Sequence, residues 1–229
     1  MSGCRAPPSR RSTASPDVRD RLLVIDTATA ACSVALFEGD RLVARAHEEV
    51  GRGHAERLVP MIAGLPDGGR AARILVDVGP GSFTGIRVGI AAARALALGW
   101  RAEVAGYGAL ALVAAAALEE STGSAPLAVI AEGGHGEVFM QRFAHPFRPL
   151  DAPRSLTPAA ALAELDGAAA IGTGTRWLAA LDAAVPDRPA LPDAAHALLL
   201  PAGERALPAV PFYGRAPDAK PPAPRPAAP

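Results

Sequence analysis

Gly79-Pro80-Gly81-Ser82-Phe83-Thr84-Gly85-Ile86-Arg87-Val88-Gly89-Ile90 follows the β-branched run Ile74-Leu75-Val76-Asp77-Val78 and opens an Ala-rich segment reaching Leu98 before Gly99. The pattern predicts a strand, a glycine turn and a helix. Gly79 and Gly81 can take backbone angles closed to other residues, and Pro80 fixes one angle between them. Ser82 or Thr84 can cap the helix through its hydroxyl, and Gly99 suits its C-terminal end. A glycine loop entering a helix gathers free N–H groups and suits an anion. This loop lacks the Gly-Lys-Ser/Thr of a Walker loop, and Ser82 directly follows Gly81 instead of standing midway between two glycines. An ordinary nucleoside triphosphatase loop and an α/β-hydrolase elbow are thereby excluded.

Along the helix, Phe83, Ile86, Ile90, Ala93 and Ala97 recur at spacings of three and four and form one apolar stripe. Gly85, Gly89 and Ala92 form a neighbouring stripe of very small residues. A helix-interior glycine costs about 1 kcal/mol against alanine, so a second backbone is expected close by. Either the domain's own sheet or a partner's helix satisfies that spacing.

The 229 residues suffice for one large domain or two small ones. Hydrophobic residues make up 50% and aromatic residues only 4%, so the core must be built from Ala, Leu, Val and Ile. Lys plus Arg (23) balances Asp plus Glu (23), which argues against broad electrostatic binding of nucleic acid by this chain alone. Two cysteines, Cys4 and Cys32, make no disulfide framework and read as free thiols of a reducing compartment. No apolar run approaches a membrane span. Residues 1–20, with Arg, Pro and Ser but no apolar core, are expected to form a disordered tail, as is the Pro-rich stretch 216–229.

The runs Leu22 to Asp26, Ser33 to Phe37 and Arg41 to Ala46, joined by short turns, predict an antiparallel three-strand meander. A helix is expected from His54 to Ile62, with Leu58, Val59 and Ile62 on its packing side, then a loop at Pro66–Gly69. A short strand at Glu103–Gly106 and an Ala-rich helix from Ala109 to Glu120 follow the decisive stretch. Strands then alternating with helices make a ribonuclease-H-like α/β pattern. Past a linker at Ser121–Ser124, strands are expected at Leu127–Ile130, Glu137–Phe143 and Ala168–Ile171. Helices are expected after the Thr157 cap and Pro158, at Trp177–Ala183 and at Ala194–Leu200. This second half (109–215) reads as a smaller, degenerate copy of the first (21–108), with no repeat visible in the residues themselves.

Asp26, with Thr27 and Thr29 behind it, is the constellation closest to a catalytic one. Its alternative reading is that the threonines satisfy turn backbone groups while Asp26 orders the strand end. The five histidines, His47, His54, His135, His145 and His196, form no His-xxx-His pair, and no metal site is expected.

The segment Gly79 to Ile90, together with Ile25-Asp26-Thr27-Ala28-Thr29-Ala30-Ala31-Cys32-Ser33-Val34-Ala35-Leu36, resembles the TsaB (YeaZ) family. The resemblance implies two ribonuclease-H-like lobes of the actin-like ATPase (ASKHA) fold. It implies a noncatalytic, cytoplasmic scaffold subunit that works with the enzyme TsaD in threonylcarbamoylation of the tRNA adenosine 3′ of the anticodon. TsaD is the implied direct partner, with the ATPase TsaE in the complex, tRNA contacted indirectly, and a homodimer when TsaD is absent. The partner interface is expected at His54, Leu58, Ser82, Gly85, Arg87, Gly89, Ala92 and Arg94. No cofactor is required by this chain. A nucleotide at the complex interface, and weak phosphate contact at Asp26, Thr27, Thr29, Gly79 and Gly81, are left open.

The chain departs from the family pattern at several points. Glu132, Gly134 and Phe139 stand where Asp, Arg and Tyr are usual around Gly136-Glu137-Val138, and Gly214 replaces Leu in Pro211-Phe212-Tyr213-Gly214-Arg215. Asp77 occupies a position where a small residue is usual, and the pattern assigns it no role. The alternative function is an active small ATPase or phosphotransferase of the same fold using Asp26. Peptidase activity is the weakest reading.

Overall fold

A computed structural model describes residues 18–214. Cys4, Arg215 and the expected tails at 1–17 and 216–229 lie outside the described residues. Within the expected N-terminal tail, Val18–Asp20 forms a short 3-10 turn. Arg21 then opens β1 as a buried residue, its guanidinium paired with Glu38 at 3.0 Å and with Asp67 at 2.7 Å.

The first sheet contains β1 (Arg21–Asp26), β2 (Ala31–Glu38), β3 (Arg41–Glu49), β4 (Arg73–Asp77) and β5 (Glu103–Tyr107), in the order β3-β2-β1-β4-β5. β1, β2 and β3 pair antiparallel as the expected meander. β4 and β5 join parallel to β1, as strands reached through crossover helices must. Helices α1 (His54–Ala63) and α2 (Phe83–Trp100) pack side by side on one face, burying Leu58, Met61, Ile62, Ile86, Ile90 and Ala93 against Leu23, Ile25, Val34 and Val76.

The opposite face (Leu22, Val24, Ala35, Phe37, Leu75) meets α3 (Ala109–Glu119). α3 is apolar all round because its other side meets the second sheet at Leu127, Val129, Phe139 and Phe143. That sheet contains β6 (Leu127–Gly134), β7 (Glu137–Ala144), β8 (Arg148–Pro149), β9 (Arg154–Leu156) and β10 (Ala169–Ile171). Its order is β10-β6-β7-β8, with β9 also on β7. Strand β10 is parallel to β6 and β7 is antiparallel to it, so the order matches the first sheet with the fifth strand missing. Short helices α4 (Pro158–Ala163) and α5 (Thr175–Ala179) cover its outer face. The result is an α/β/α/β/α stack with a smaller, degenerate second half, the two-lobed actin-like fold.

Four local expectations change. α2 passes through Gly99 and ends at Trp100, capped by Arg101 in the left-handed conformation at φ 57°. Val59 is 62% exposed, because Met61 takes the packing position on α1. Phe83 leaves the apolar stripe and stacks on Tyr213, ring centroids 4.7 Å apart. The C-terminal helices are short: α5 ends at Ala179, and Ala194–Leu199 is a 3-10 turn. That turn is pinned to the first sheet, where Ser33 Oγ accepts from the Ala194 N–H at 3.0 Å and Arg45 pairs with Asp193 at 3.0 Å.

Candidate functional site

The loop after β1, the glycine loop and the N-terminus of α2 face the β6–β7 turn and the Gly172–Gly174 loop across a cleft of about 510 Å³. Thr29, Arg52, Ser82, Glu132, His135 and Thr173 line it. Ser82 caps α2, its Oγ accepting the Gly85 N–H at 3.2 Å. Gly81 also lines the cleft and presses on the β1 loop: a Cβ there would stand 2.1 Å from the Ala28 carbonyl oxygen. Of the five residues expected near phosphate, Thr29 and Gly81 are at the cleft.

Asp26, Thr27 and Gly79 are buried and outside its lining. Asp26 points to β5, where the Tyr107 hydroxyl donates to its Oδ2 at 2.8 Å. Burial raises the Asp26 carboxyl to about 6, against the hydrogen bond from Tyr107 that lowers it. Asp77, one strand away, is pushed well above the carboxylate range by burial and by the Asp26 charge. Its Oδ1 accepts the Gly79 N–H at 2.7 Å, and Gly79 itself takes φ 101°. The acid of the constellation closest to a catalytic one is therefore buried and turned toward β5.

The small-residue stripe belongs to this same substructure. The Thr27 hydroxyl donates to the Gly85 carbonyl at 2.8 Å. A Cβ at Gly85 would lie 2.0 Å from the Thr27 carbonyl oxygen, and one at Gly89 would lie 2.5 Å from Thr27 Oγ1. Both glycines pack on Thr27 of the chain's own β1 loop, so their spacing is explained without a partner. Ala92 is half-buried against the same core.

His54 and Leu58 are also inside the lobe. His54 Nε2 lies 2.9 Å from the Thr29 carbonyl oxygen and 3.2 Å from that of Ala31, so it carries the proton and donates to them, holding α1 to the β1–β2 loop.

Ser82, Arg87 and Arg94 remain exposed. Arg87 sits 3.5 Å above the Phe83 ring centre and donates to the Tyr213 hydroxyl at 2.8 Å. Arg94 donates to the Ala209 carbonyl at 2.8 Å. The two arginines thus strap segment 209–213 along α2. On the second sheet, Glu132 accepts from Trp177 Nε1 at 3.2 Å and pairs with Arg176. Glu137 accepts from Ser155 Oγ at 2.6 Å, and Phe139 is buried. Among the described residues no three His, Cys, Asp or Glu side chains converge as metal ligands, and no helix is long and apolar enough to cross a membrane.

Missed in the sequence were the buried Arg21 and Tyr107, while Asp77 stood out there without a role. For Asp77 a signal existed: an acid closing a β-branched run beside the glycine loop.

A family model described as TsaD, tRNA N6-adenosine threonylcarbamoyltransferase, matches residues 46–155. The tRNA threonylcarbamoyladenosine biosynthesis protein TsaB of Escherichia coli is 37% identical over 130 residues, 54% of each chain, so the match spans about half of that relative's length. The TsaB of Haemophilus influenzae is 32% identical over 174 residues, 69% of this chain and 73% of its own. The solved structure of YeaZ from Pseudomonas aeruginosa superposes with a TM-score of 0.69 at 30% identity, covering 85% of this chain and 99% of that one.

Proposed function

Because this chain belongs to the TsaB family of tRNA threonylcarbamoyladenosine biosynthesis proteins, we propose that it is the noncatalytic scaffold subunit that holds TsaD while TsaD modifies tRNA. The observation that carries this reading is the outer face of α1 and α2. Val59 is 62% exposed and Leu98 86%, on two helices packed side by side. Arg87 and Arg94 stand exposed between the two ends of α2. Exposed apolar side chains together with exposed arginine are the composition of a protein interface. The sequestration of Asp26 supports a role without its own phosphoryl chemistry.

In this reading TsaD docks on the α1–α2 face, and two copies of this chain pair through it when TsaD is absent. TsaE joins the complex and tRNA is contacted only indirectly, in the cytoplasm. Thr29 and Gly81, which line the cleft, are the two expected phosphate-contact positions that a ligand there could reach.

The test is a paired substitution, Val59→Glu with Leu98→Glu, which leaves the buried side of both helices intact. The variant should stay folded by circular dichroism and lose TsaD in co-purification. Undiminished TsaD binding would rule out this face.

A further inference from the structure

We propose that Asp26 and Asp77 share one proton in the folded protein, and that this proton locks the glycine loop onto the end of β1. The two carboxyl groups lie on adjacent parallel strands, one step beyond the Ile25–Val76 register pair. They are 0% and 1% exposed. Each has one oxygen satisfied: Asp26 Oδ2 by the Tyr107 hydroxyl and Asp77 Oδ1 by the Gly79 N–H. The other two, Asp26 Oδ1 and Asp77 Oδ2, are buried and make no hydrogen bond of good geometry with any described residue, the Ala28 N–H being the backbone donor that bears on both carboxyls. Register neighbours of a parallel pair point their side chains to the same face, so the two carboxyl groups are brought side by side and each perturbs the other. Two carboxylate oxygens cannot bond as anions, but a protonated carboxyl donates to an ionised one. A single proton satisfies both orphaned atoms at once.

The surroundings favour that proton. The titratable groups facing the pair are Tyr107 from β5, Cys32 from β2 and Asp193 ahead of the 3-10 turn, and none is cationic. Two buried anions side by side, with no cation facing them, would carry desolvation and mutual repulsion together. Burial and the Asp26 charge both hold the proton on Asp77. The resulting chain runs from the Gly79 N–H to Asp77, from Asp77–OH to Asp26, and from the Tyr107 hydroxyl to Asp26. It ties the loop, β4, β1 and β5 into one unit that carries one negative charge.

The sign of the pH effect follows. Both folded-state carboxyls are raised above their unfolded value of 3.8, so the folded chain holds protons that the unfolded chain has released. Stability is full below that value and falls as pH rises. Above about 6, where Asp26 is ionised, the one retained proton is that on Asp77. Each further pH unit then raises the unfolding constant by a factor of about ten until Asp77 itself ionises.

The decisive comparison is wild type against Asp77→Asn, in urea denaturation from about pH 6 upward. Asparagine keeps an oxygen for the Gly79 N–H and supplies a permanent N–H to Asp26. It should fold and should lose the factor of about ten per pH unit that wild type shows relative to it. Parallel slopes for the two proteins would overturn the proposal, and so would an Asp77→Asn chain that fails to fold. Two readouts separate proton sharing from simple packing. Infrared spectra at neutral pH should show the carbonyl stretch of a protonated carboxyl that Asp77→Asn removes. Hydrogen exchange at the Gly79 amide should accelerate with pH beyond its intrinsic rate in wild type but not in Asp77→Asn. Absence of the infrared band would overturn the shared proton, and equal exchange in both proteins would overturn the lock on the loop.

Discussion

Thr27 Oγ1 donates to the Gly85 carbonyl at 2.8 Å, joining the end of β1 to the first turn of α2. The same oxygen stands 2.5 Å from where a Cβ at Gly89 would be. One threonine thus accounts for both glycines inside the helix, Gly85 and Gly89.

The first prediction follows from that contact. Gly89→Ala gains about 1 kcal/mol in helix propensity but drives a methyl into Thr27. The net effect should be destabilisation of about 1–3 kcal/mol, read from urea midpoints. In a Thr27→Ala background the oxygen is gone, so the same substitution should cost clearly less. A double-mutant cycle showing simple additivity would refute the contact.

The second concerns the strap over α2. Arg87 lies on the Phe83 ring and bonds the Tyr213 hydroxyl at an exposed site. Its removal should therefore cost only about 0.5–1 kcal/mol. Arg87→Ala should melt as cooperatively as wild type while amide exchange across 209–213 speeds up. Unchanged exchange there would mean that the segment is held without the arginine.

Much of the architecture was legible because it is written in local patterns. Strand, glycine loop and helix at 73–100 and the three-strand meander follow from periodicity and turn residues, and the structure has them. What escaped depends on contacts distant in sequence. Arg21 reads as the edge of a basic tail until Glu38 and Asp67 enclose it. Ala194–Leu199 has helical composition, yet it is a 3-10 turn because Asp193 and Ala194 are tied to Ser33. At the site, the small-residue stripe was recognised and its occupant left open. Only the geometry shows that β1 of the same chain fills it. The roles of Asp77 and Tyr107 depend on strand order, which no single stretch of residues encodes.

The third prediction is chemical. Cys32 is fully buried on β2, and burial pushes its thiol up to about 11. At about pH 8 only about one thiol in a thousand would be ionised, and reagent has no path to it. In a Cys4→Ser chain, a thiol-specific reagent should label nothing in the native protein and one group per chain in denaturant. Rapid native labelling would show that β2 opens far more often than its packing implies.

The measurement closest to the central claim is light scattering after size-exclusion chromatography, on this chain alone and mixed with the TsaD of the same organism, followed by a tRNA threonylcarbamoylation assay. The account predicts a stable mixed complex, and modification only when both proteins are present with the threonylcarbamoyl donor. Failure to form a complex, or full modification by TsaD without this chain, would contradict it.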